Sequence, residues 1–349
     1  MSAGTTHDQR EADDQSMRMN DRSREDTEPR MPRRLSKIPL AFFAYNRPEH
    51  TSRALSALAK CGRQGDFEFF FFSDGPRTSD DVSDVDAVRR VLADSANRFG
   101  AEVIERQENL GLAKSIVDGV SRLCEQYGRV VVLEDDLIVA PDFLHFMASA
   151  LDRYADVGEV MQVGAYTIAP PPQRDSNAFL LPVTTTWGWG TWDRAWKKFS
   201  WTPQDWPSAR SNEAWVTRFQ INGAGKYISM LEDRLAGRND SWGILWWYAV
   251  SRNKGQVVYP VQTLVSNEGF DGSGVHCGAG AAIGQSPHLD MHQRLPEVIS
   301  FPSQTEHQAQ DLQLLEAALR AQSGLPARVN SKALFWVQKI SSRIRNALF

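Results

Sequence analysis

The sequence predicts an α/β fold, a mostly parallel, Rossmann-like sheet flanked by helices. Three observations carry the prediction. Short apolar runs alternate with segments of helical periodicity from residue 38 to residue 154. Such alternation implies crossover connections and a sheet covered on both faces. Three runs also end in polar clusters, Tyr45-Asn46-Arg47, Ser73-Asp74-Gly75 and Glu134-Asp135-Asp136. Open sheets of this class bind ligands beyond the carboxyl ends of their strands.

The elements follow in order. Ile38–Tyr45 (IPLAFFAY) reads as a buried strand, and Asn46-Arg47-Pro48 opens a helix with proline near its first turn. Phe67–Phe72 (FEFFFF) is a second strand. Asp84–Asn97 is a helix with Val85, Val88, Val91 and Leu92 on one face. Ala101–Ile104 is a strand, Leu112–Gln126 a helix, Val130–Leu133 a strand and Pro141–Tyr154 a helix. Beyond residue 159 the character changes, because ten of the eleven tryptophans lie between Trp187 and Trp247. The glycine-spaced Trp187-Gly188-Trp189-Gly190-Thr191-Trp192 reads as a loop. Gln256–Tyr259 and Gln262–Val265 read as strands, and a helix is expected around 307–322.

Length and composition bound the rest. The 349 residues are 42% hydrophobic and 23% charged, which is ordinary globular composition. A net charge of −4 shows none of the basic excess of a nucleic-acid binder. Cys61, Cys124 and Cys277 are too few and too scattered for a disulfide framework. Residues 1–37 hold eight basic and eight acidic residues and almost no large apolar ones, and read as a disordered tail. The expected organisation is this tail, then a domain over 38–284 with halves 38–158 and 159–284, then an extension over 285–326. Residues 327–349 have five basic residues, no acidic one, and an apolar stripe from Val329 through Trp336 and Ile340 to Leu348. They read as a basic amphipathic helix, suited to an anionic membrane surface or to packing on protein. With no secretory signal and no transmembrane stretch evident, the expected location is cytoplasmic and peripheral on the inner face of the plasma membrane.

Several residues carry chemistry. An apolar strand that delivers Glu134, Asp135 and Asp136 in a row must solvate them or neutralise them, and Mg²⁺ or Mn²⁺ is the natural hard partner. Asp74 suits either an Asx-turn or acceptance of hydrogen bonds from a base or ribose. Arg47, at a helix N-terminus, suits phosphate or a surface ion pair. His276, between glycines, is a structural histidine or a metal ligand. Asp240, beside Trp242, is a helix N-cap or a general base. The tryptophans are core, or platforms for sugar rings.

Taken together these residues resemble a bacterial glycosyltransferase with the GT-A nucleotide-sugar-binding fold. The opening FFAYNRPEHTSRAL is similar to the first strand and helix of glycosyltransferase family 2. Ser73–Gly75 resembles that family's nucleobase-binding acid, and Asn109-Leu110-Gly111-Leu112-Ala113 its Asn-x-Gly segment. N-acetylglucosaminyltransferase I offers a closer likeness, through Glu134–Asp136, through Asn239-Asp240-Ser241-Trp242 (where Ser241 replaces a second acid) and through Gly272–Gly278. The resemblance implies a metal-dependent, inverting transfer from a nucleotide-sugar, UDP-linked by family habit, to a glycan or lipid-linked glycan. It implies metal binding by Asp136 and His276. Donor contacts would come from Tyr45, Asn46, Arg47, Asp74, Asn109, Lys114, Glu134 and Asp135. Asp240 would be the base, and Trp187, Trp189, Trp192 and Trp242 would shape the acceptor side. Two rivals are a sugar-phosphate nucleotidyltransferase and a non-catalytic carbohydrate-binding protein on the same fold. The first needs a glycine-rich loop, and residues 41–50 contain no glycine.

Overall fold

A computed structural model describes residues 37–171, 174–269, 289–292 and 294–322. The expected tail apart from Lys37, His276 and its loop, and the expected helix over 327–349 lie outside the described residues.

The first half follows the predicted alternation. It runs β1 (Ile38–Ala44), α1 (Pro48–Leu58), β2 (Phe67–Ser73), α2 (Val82–Phe99), β3 (Glu102–Glu105), α3 (Leu112–Tyr127) and β4 (Arg129–Glu134). A short strand β5 (Leu137–Val139) and α4 (Phe143–Arg153) come next. The second half begins with β6 (Val160–Gly164), β7 (Ala178–Leu181) and β8 (Trp189–Trp192). Helices α5 (Asp193–Trp196), α6 (Trp206–Arg210), α7 (Glu213–Phe219), α8 (Tyr227–Leu235) and α9 (Trp242–Arg252) follow. β9 (Gln256–Pro260), β10 (Val265–Asn267) and α10 (Ala309–Gln322) complete the described chain.

Eight strands form one sheet in the order β3-β2-β1-β4-β8-β6-β9-β7. β1 lies parallel between β2 and β4, β3 runs parallel to β2, and β6 runs parallel to β9. β8 is antiparallel to both β4 and β6, and β7 is antiparallel to β9 at the edge. β5 pairs with β10 in a separate two-stranded ribbon. The sheet is therefore mostly parallel and flanked by helices, as expected.

Burial on both faces explains the unbroken apolar runs. Leu40, Phe42, Phe67, Phe69 and Phe71 join one core cluster, and Ala41, Phe43, Phe70 and Phe72 join the other. Each strand thus feeds two cores, and no polar alternation is left to read. A fully buried side chain of this size contributes about 1.5–3 kcal/mol, so β1 and β2 anchor the molecule. Rings on neighbouring strands also meet directly, Phe43 stacking on Phe72 at 4.8 Å.

Two expectations are corrected here. Most of the tryptophan-glycine run, Trp189–Trp192, is a central strand and not a loop. Gly190 is what permits it, because a Cβ there would lie 2.9 Å from the Val130 carbonyl oxygen on β4. The strand expected at Gln262–Val265 instead runs from Val265 to Asn267, where it finds its partner in β5. Leu264 has already spent its amide on the Ala165 carbonyl at 2.9 Å.

The tryptophans lie mostly in the core. Trp189 is 0% exposed and stacks on Trp242 at 5.2 Å, with Trp196 at 5.8 Å and Trp246 at 6.3 Å. Trp192 points to the opposite cluster and donates its indole N–H to the Leu151 carbonyl at 3.1 Å. A sugar cannot stack on a ring that is already packed on both sides. Trp189, Trp192 and Trp242 are therefore structural, correcting their expected acceptor role. Trp187 is half-buried, 4.4 Å from the Tyr166 ring.

Candidate active site

The parallel pairing of β2, β1 and β4 sets three polar strand ends side by side. Asp74 follows β2, Tyr45 to Arg47 follow β1, and Glu134 to Asp136 close β4. The sequence predicted this juxtaposition. The hydrogen bonds within it depend on contacts between distant segments.

Asp74 is buried and fully engaged. Its Oδ1 accepts from the amides of Gly75 at 3.1 Å and Leu110 at 3.0 Å, and its Oδ2 accepts from the amide of Gly111 at 2.9 Å. Asn109 secures the same junction by donating to the Gly75 carbonyl at 2.7 Å. The Asn109–Gly111 segment is thus pinned to the end of β2, and α3 starts immediately after it. Asp74 thus makes the turn contact and also joins two loops at the carboxyl end of the sheet.

The contact leaves no spare room. A Cβ on Gly75 would lie 2.6 Å from the Glu108 carbonyl carbon and 2.7 Å from the Gln107 oxygen. These are backbone atoms, so the segments would have to part. Gly75→Ala is expected to lower stability by about 1–3 kcal/mol, the usual cost of overpacking, read as a fall in the urea midpoint. An unchanged midpoint would show that the two loops separate freely.

Three carboxylates and one guanidinium form the other part. Arg47 Nη2 donates to Asp135 in a close ion pair and to Asp136 Oδ2 at 3.1 Å. The Tyr45 amide also bonds the Asp135 carboxylate. Burial, opposed by Arg47 and reinforced by Asp136, pushes the Asp135 carboxyl up to about 6. Burial together with Asp136 and Asp135 raises Glu134 well above the usual carboxylate range, although Arg47 pulls it down. Arg47 itself is raised, because its two aspartates outweigh its own burial. The cluster is short of positive charge, since one guanidinium faces three acids. Arg47 Nη1 is also buried with no hydrogen-bond partner. The expectation that Arg47 serves phosphate must accommodate this pairing, which the sequence did not reveal.

The remaining donor-side residues take varied places. Asn46 donates to Asp81 Oδ1 at 3.1 Å, and the Tyr45 hydroxyl accepts from the Arg77 amide at 3.0 Å. β10 returns the chain to the acidic cluster, where the Glu268 amide donates to the Asp136 carbonyl at 2.8 Å. Gly269 packs so closely that a Cβ there would lie 2.4 Å from Asp136 Oδ2. Among the described residues no three His, Cys, Asp or Glu side chains are gathered as a preformed metal cluster. Asp135 and Asp136 instead turn toward Arg47. The hard oxygen donors and the excess of negative charge nevertheless fit a divalent cation.

A cleft of about 800 Å³ opens beside the Asp74 junction. Leu110, Gly111 and Lys114 line one part, and Trp201, Arg234, Leu235 and Asp240 line another. Asp240 is exposed there. Ser241 is the N-cap of α9, its hydroxyl accepting from the Ile244 amide at 3.4 Å. That removes the capping alternative for Asp240. Trp201 and Arg234 were not singled out from the sequence; nothing distinguishes Trp201 from the nine tryptophans around it.

Polar strand ends gathered in this way define a class, the α/β proteins built on an open, mostly parallel sheet, which as a class bind ligands beyond the carboxyl ends of their strands. Residues 42–206 match the family described as Glycosyl transferase family 2. The chain thus resembles a GT-A-type glycosyltransferase, and the match covers β1 through β8. It does not bear on the narrower likeness to N-acetylglucosaminyltransferase I. No curated protein sequence matches the chain. Among solved structures, S. aureus TarS 1-349 is similar at 11% identity and a TM-score of 0.39, over 66% of this chain and 59% of that one. The similar region is thus less than two thirds of the TarS chain. A mannosyltransferase from Pyrobaculum calidifontis, solved with GDP-Man and Mn²⁺, aligns at 14% identity and a TM-score of 0.34, over 61% and 73%. GalNAc-T7, solved with UDP, GalNAc and Mn²⁺, aligns at 9% identity and 0.41, over 67% and 43%.

Proposed function

We propose that the protein transfers a sugar from a nucleotide-sugar, UDP-linked as the first choice, to a glycan or lipid-linked glycan, with inversion at the anomeric carbon. The observation that carries this reading is the adjacency of Asp74, Arg47 and Glu134–Asp136 at three neighbouring strand ends, within a segment that matches a glycosyltransferase family.

Each residue has a stated part. Asp74 and the loop it holds receive the nucleoside. Tyr45, Asn46 and Asn109 shape that pocket, and Lys114 borders it from the cleft. Arg47, with one nitrogen unpartnered, faces the diphosphate. Asp136 holds a divalent cation, Mn²⁺ or Mg²⁺, with Glu134 and Asp135 around it. When bound, such a cation offsets the charge that develops on the leaving diphosphate. His276, as a second ligand, and Trp187, on the acceptor side, complete the assignment. Asp240, in the adjoining cleft, takes the proton from the acceptor hydroxyl as that oxygen attacks from the far face.

The test is release of nucleoside diphosphate from a panel of nucleotide-sugars, with Mn²⁺, Mg²⁺ or EDTA. Metal-dependent release from one donor is the expected result. Binding without release, in the presence of an acceptor pool, would favour the non-catalytic alternative. Asp240→Asn is expected to lower turnover by about 10²–10⁴-fold, the usual contribution of a positioned base, with donor affinity unchanged. Near-normal turnover would move the role to another acid.

Among the described residues no helix is long and apolar enough to cross a membrane. The basic, apolar-periodic sequence of residues 327–349 supports a peripheral site on an anionic membrane surface, the cytoplasmic face being the proposed one. Removing these residues is expected to shift the protein from the membrane pellet to the supernatant. An unchanged distribution would refute the membrane role.

A further inference from the structure

The cleft beside Asp240 contains an arginine with no anion to serve. Arg234 is half-buried near the end of α8, and its Nε is buried with no hydrogen-bond partner. No ion pair to Arg234 is found among the described residues. Its guanidinium carbon instead lies over an aromatic ring, 5.4 Å from the Trp201 centroid. A buried Nε–H with no acceptor carries an uncompensated desolvation cost. Elsewhere in the molecule, part-buried arginines meet acids or carbonyls: Arg174 meets Asp311, Arg106 meets Asp118 and Arg194 meets the Tyr154 and Ala155 carbonyls. Arg234 departs from that habit, and it does so on the wall of a cavity.

The rest of the wall fits the same ligand. Trp201 is 37% exposed and braced edge-on by Phe199 at 5.3 Å, so the ring is held in place while part of it faces the cleft. Leu110 and Leu235 are exposed beside it, at 38% and 36%. Lys114 adds a second cation. Of the two acids on the wall, Asp118 is already bound by Arg106 at 2.7 Å. Asp240 is the other acid on the wall, and it is exposed. The cleft thus joins an aromatic and aliphatic platform, a guanidinium with open donors and a carboxylate.

We propose that this cleft is the acceptor subsite and takes a saccharide bearing an anionic substituent, its ring on Trp201 and its anion on Arg234. The word acceptor rests on the glycosyltransferase reading; the anion preference does not. The indole offers the apolar face that a pyranose needs, and the guanidinium fork matches either a carboxylate or a phosphate. The negative charge of Asp240 on the same wall keeps the anion to the Arg234 end. Among the described residues, the tryptophan that offers a sugar platform in this cleft is Trp201, not those of the 187–192 run.

The test is direct binding to the full chain by calorimetry. The probes are neutral methyl glycosides of glucose, galactose and N-acetylglucosamine, the matching uronides where they exist, the 6-phosphates, and inorganic phosphate alone. In at least one series the anionic sugar is expected to bind about tenfold tighter than its neutral parent. Arg234→Gln removes that preference, Arg234→Lys retains part of it, and Trp201→Ala weakens both forms together. Thermal midpoints of the variants establish that they fold. Equal binding of neutral and anionic forms across the panel overturns the proposal, as does a preference that survives Arg234→Gln. Absence of any binding overturns it too. Inorganic phosphate binding as tightly as the sugar phosphates would reduce the cleft to an anion site and overturn the saccharide half. The carboxylate and phosphate arms identify the anion. Failure of donor release with an intact anion preference would remove the transferase and keep the saccharide site. The reverse pattern would keep the transferase and remove the anion.

Discussion

Asp136→Ala is expected to reduce sugar transfer by at least about 10²-fold, several kcal/mol of transition-state stabilisation, while leaving the protein folded. Asp136 is one of three acids sharing a single guanidinium, and its charge raises both Glu134 and Asp135. Deleting it relieves repulsion. Arg47 keeps its bond to Asp135, so the thermal midpoint should hold or rise. Function and stability should therefore move apart, which distinguishes a ligand from a structural acid. Mn²⁺ affinity gives an independent reading, through loss of the free-ion resonance on titration. It should fall by at least about tenfold when an oxygen ligand is lost. Unchanged affinity together with unchanged Mn²⁺ dependence of transfer would show that the cation is held elsewhere.

The largest loss of stability is expected from Trp246→Ala. Trp246 is 0% exposed, and its indole N–H donates to Gln162 Oε1 at 2.6 Å. Gln162 is itself buried and donates to the Thr185 carbonyl at 2.7 Å. Alanine would open a cavity, worth about 3–5 kcal/mol for a buried aromatic, and strand an amide oxygen inside it, worth about 1–3 kcal/mol more. That is a large share of the roughly 5–15 kcal/mol that holds a typical domain folded. The variant should be largely unfolded or recovered only as aggregate. Trp246→Phe separates the two contributions, because it keeps most of the volume and loses only the donor. It should cost about 1–3 kcal/mol in the urea midpoint. Equal losses for both variants would mean that the hydrogen bond, and not the packing, is what matters.

What could be read in advance depended on how local the signal was. β1 to β4 and the helices between them were legible because each follows from its own few residues: proline in the first turn, a valine stripe, a run of phenylalanines. β8 was not, because Gly188 and Gly190 in a tryptophan run are ordinary turn chemistry. Only the closeness of β4 shows that Gly190 is there to admit a neighbouring backbone. The three polar strand ends were placed correctly because strand direction fixes where they fall. The pairing of Arg47 with Asp135 and Asp136 was not foreseen. It spans 88 and 89 positions and depends on the parallel register of β1 with β4. Asp240 fell between two local readings until Ser241 proved to be the cap. Three of the four expected acceptor tryptophans, Trp189, Trp192 and Trp242, lie in the core for a general reason: residue type suggests what a ring can do, but burial decides whether it is free to do it.

The insertion of β8 beside β4 bears on how the polypeptide can be divided. A fragment ending near residue 158 would contain β1 to β4 and every donor-side residue of the acidic cluster. It would also leave β4 as an open edge, with the row of amides and carbonyls that β8 normally takes from Arg129 to Val132. A bare hydrophobic edge of that kind recruits further copies of itself. The segment that matches the glycosyltransferase family runs on to residue 206, far enough to bring β8 with it. The segment from β1 to β4 is therefore not a module that can be borrowed alone. Any chimera that exchanges the region after β4 must be joined after β8, and one joined before it should precipitate rather than fold.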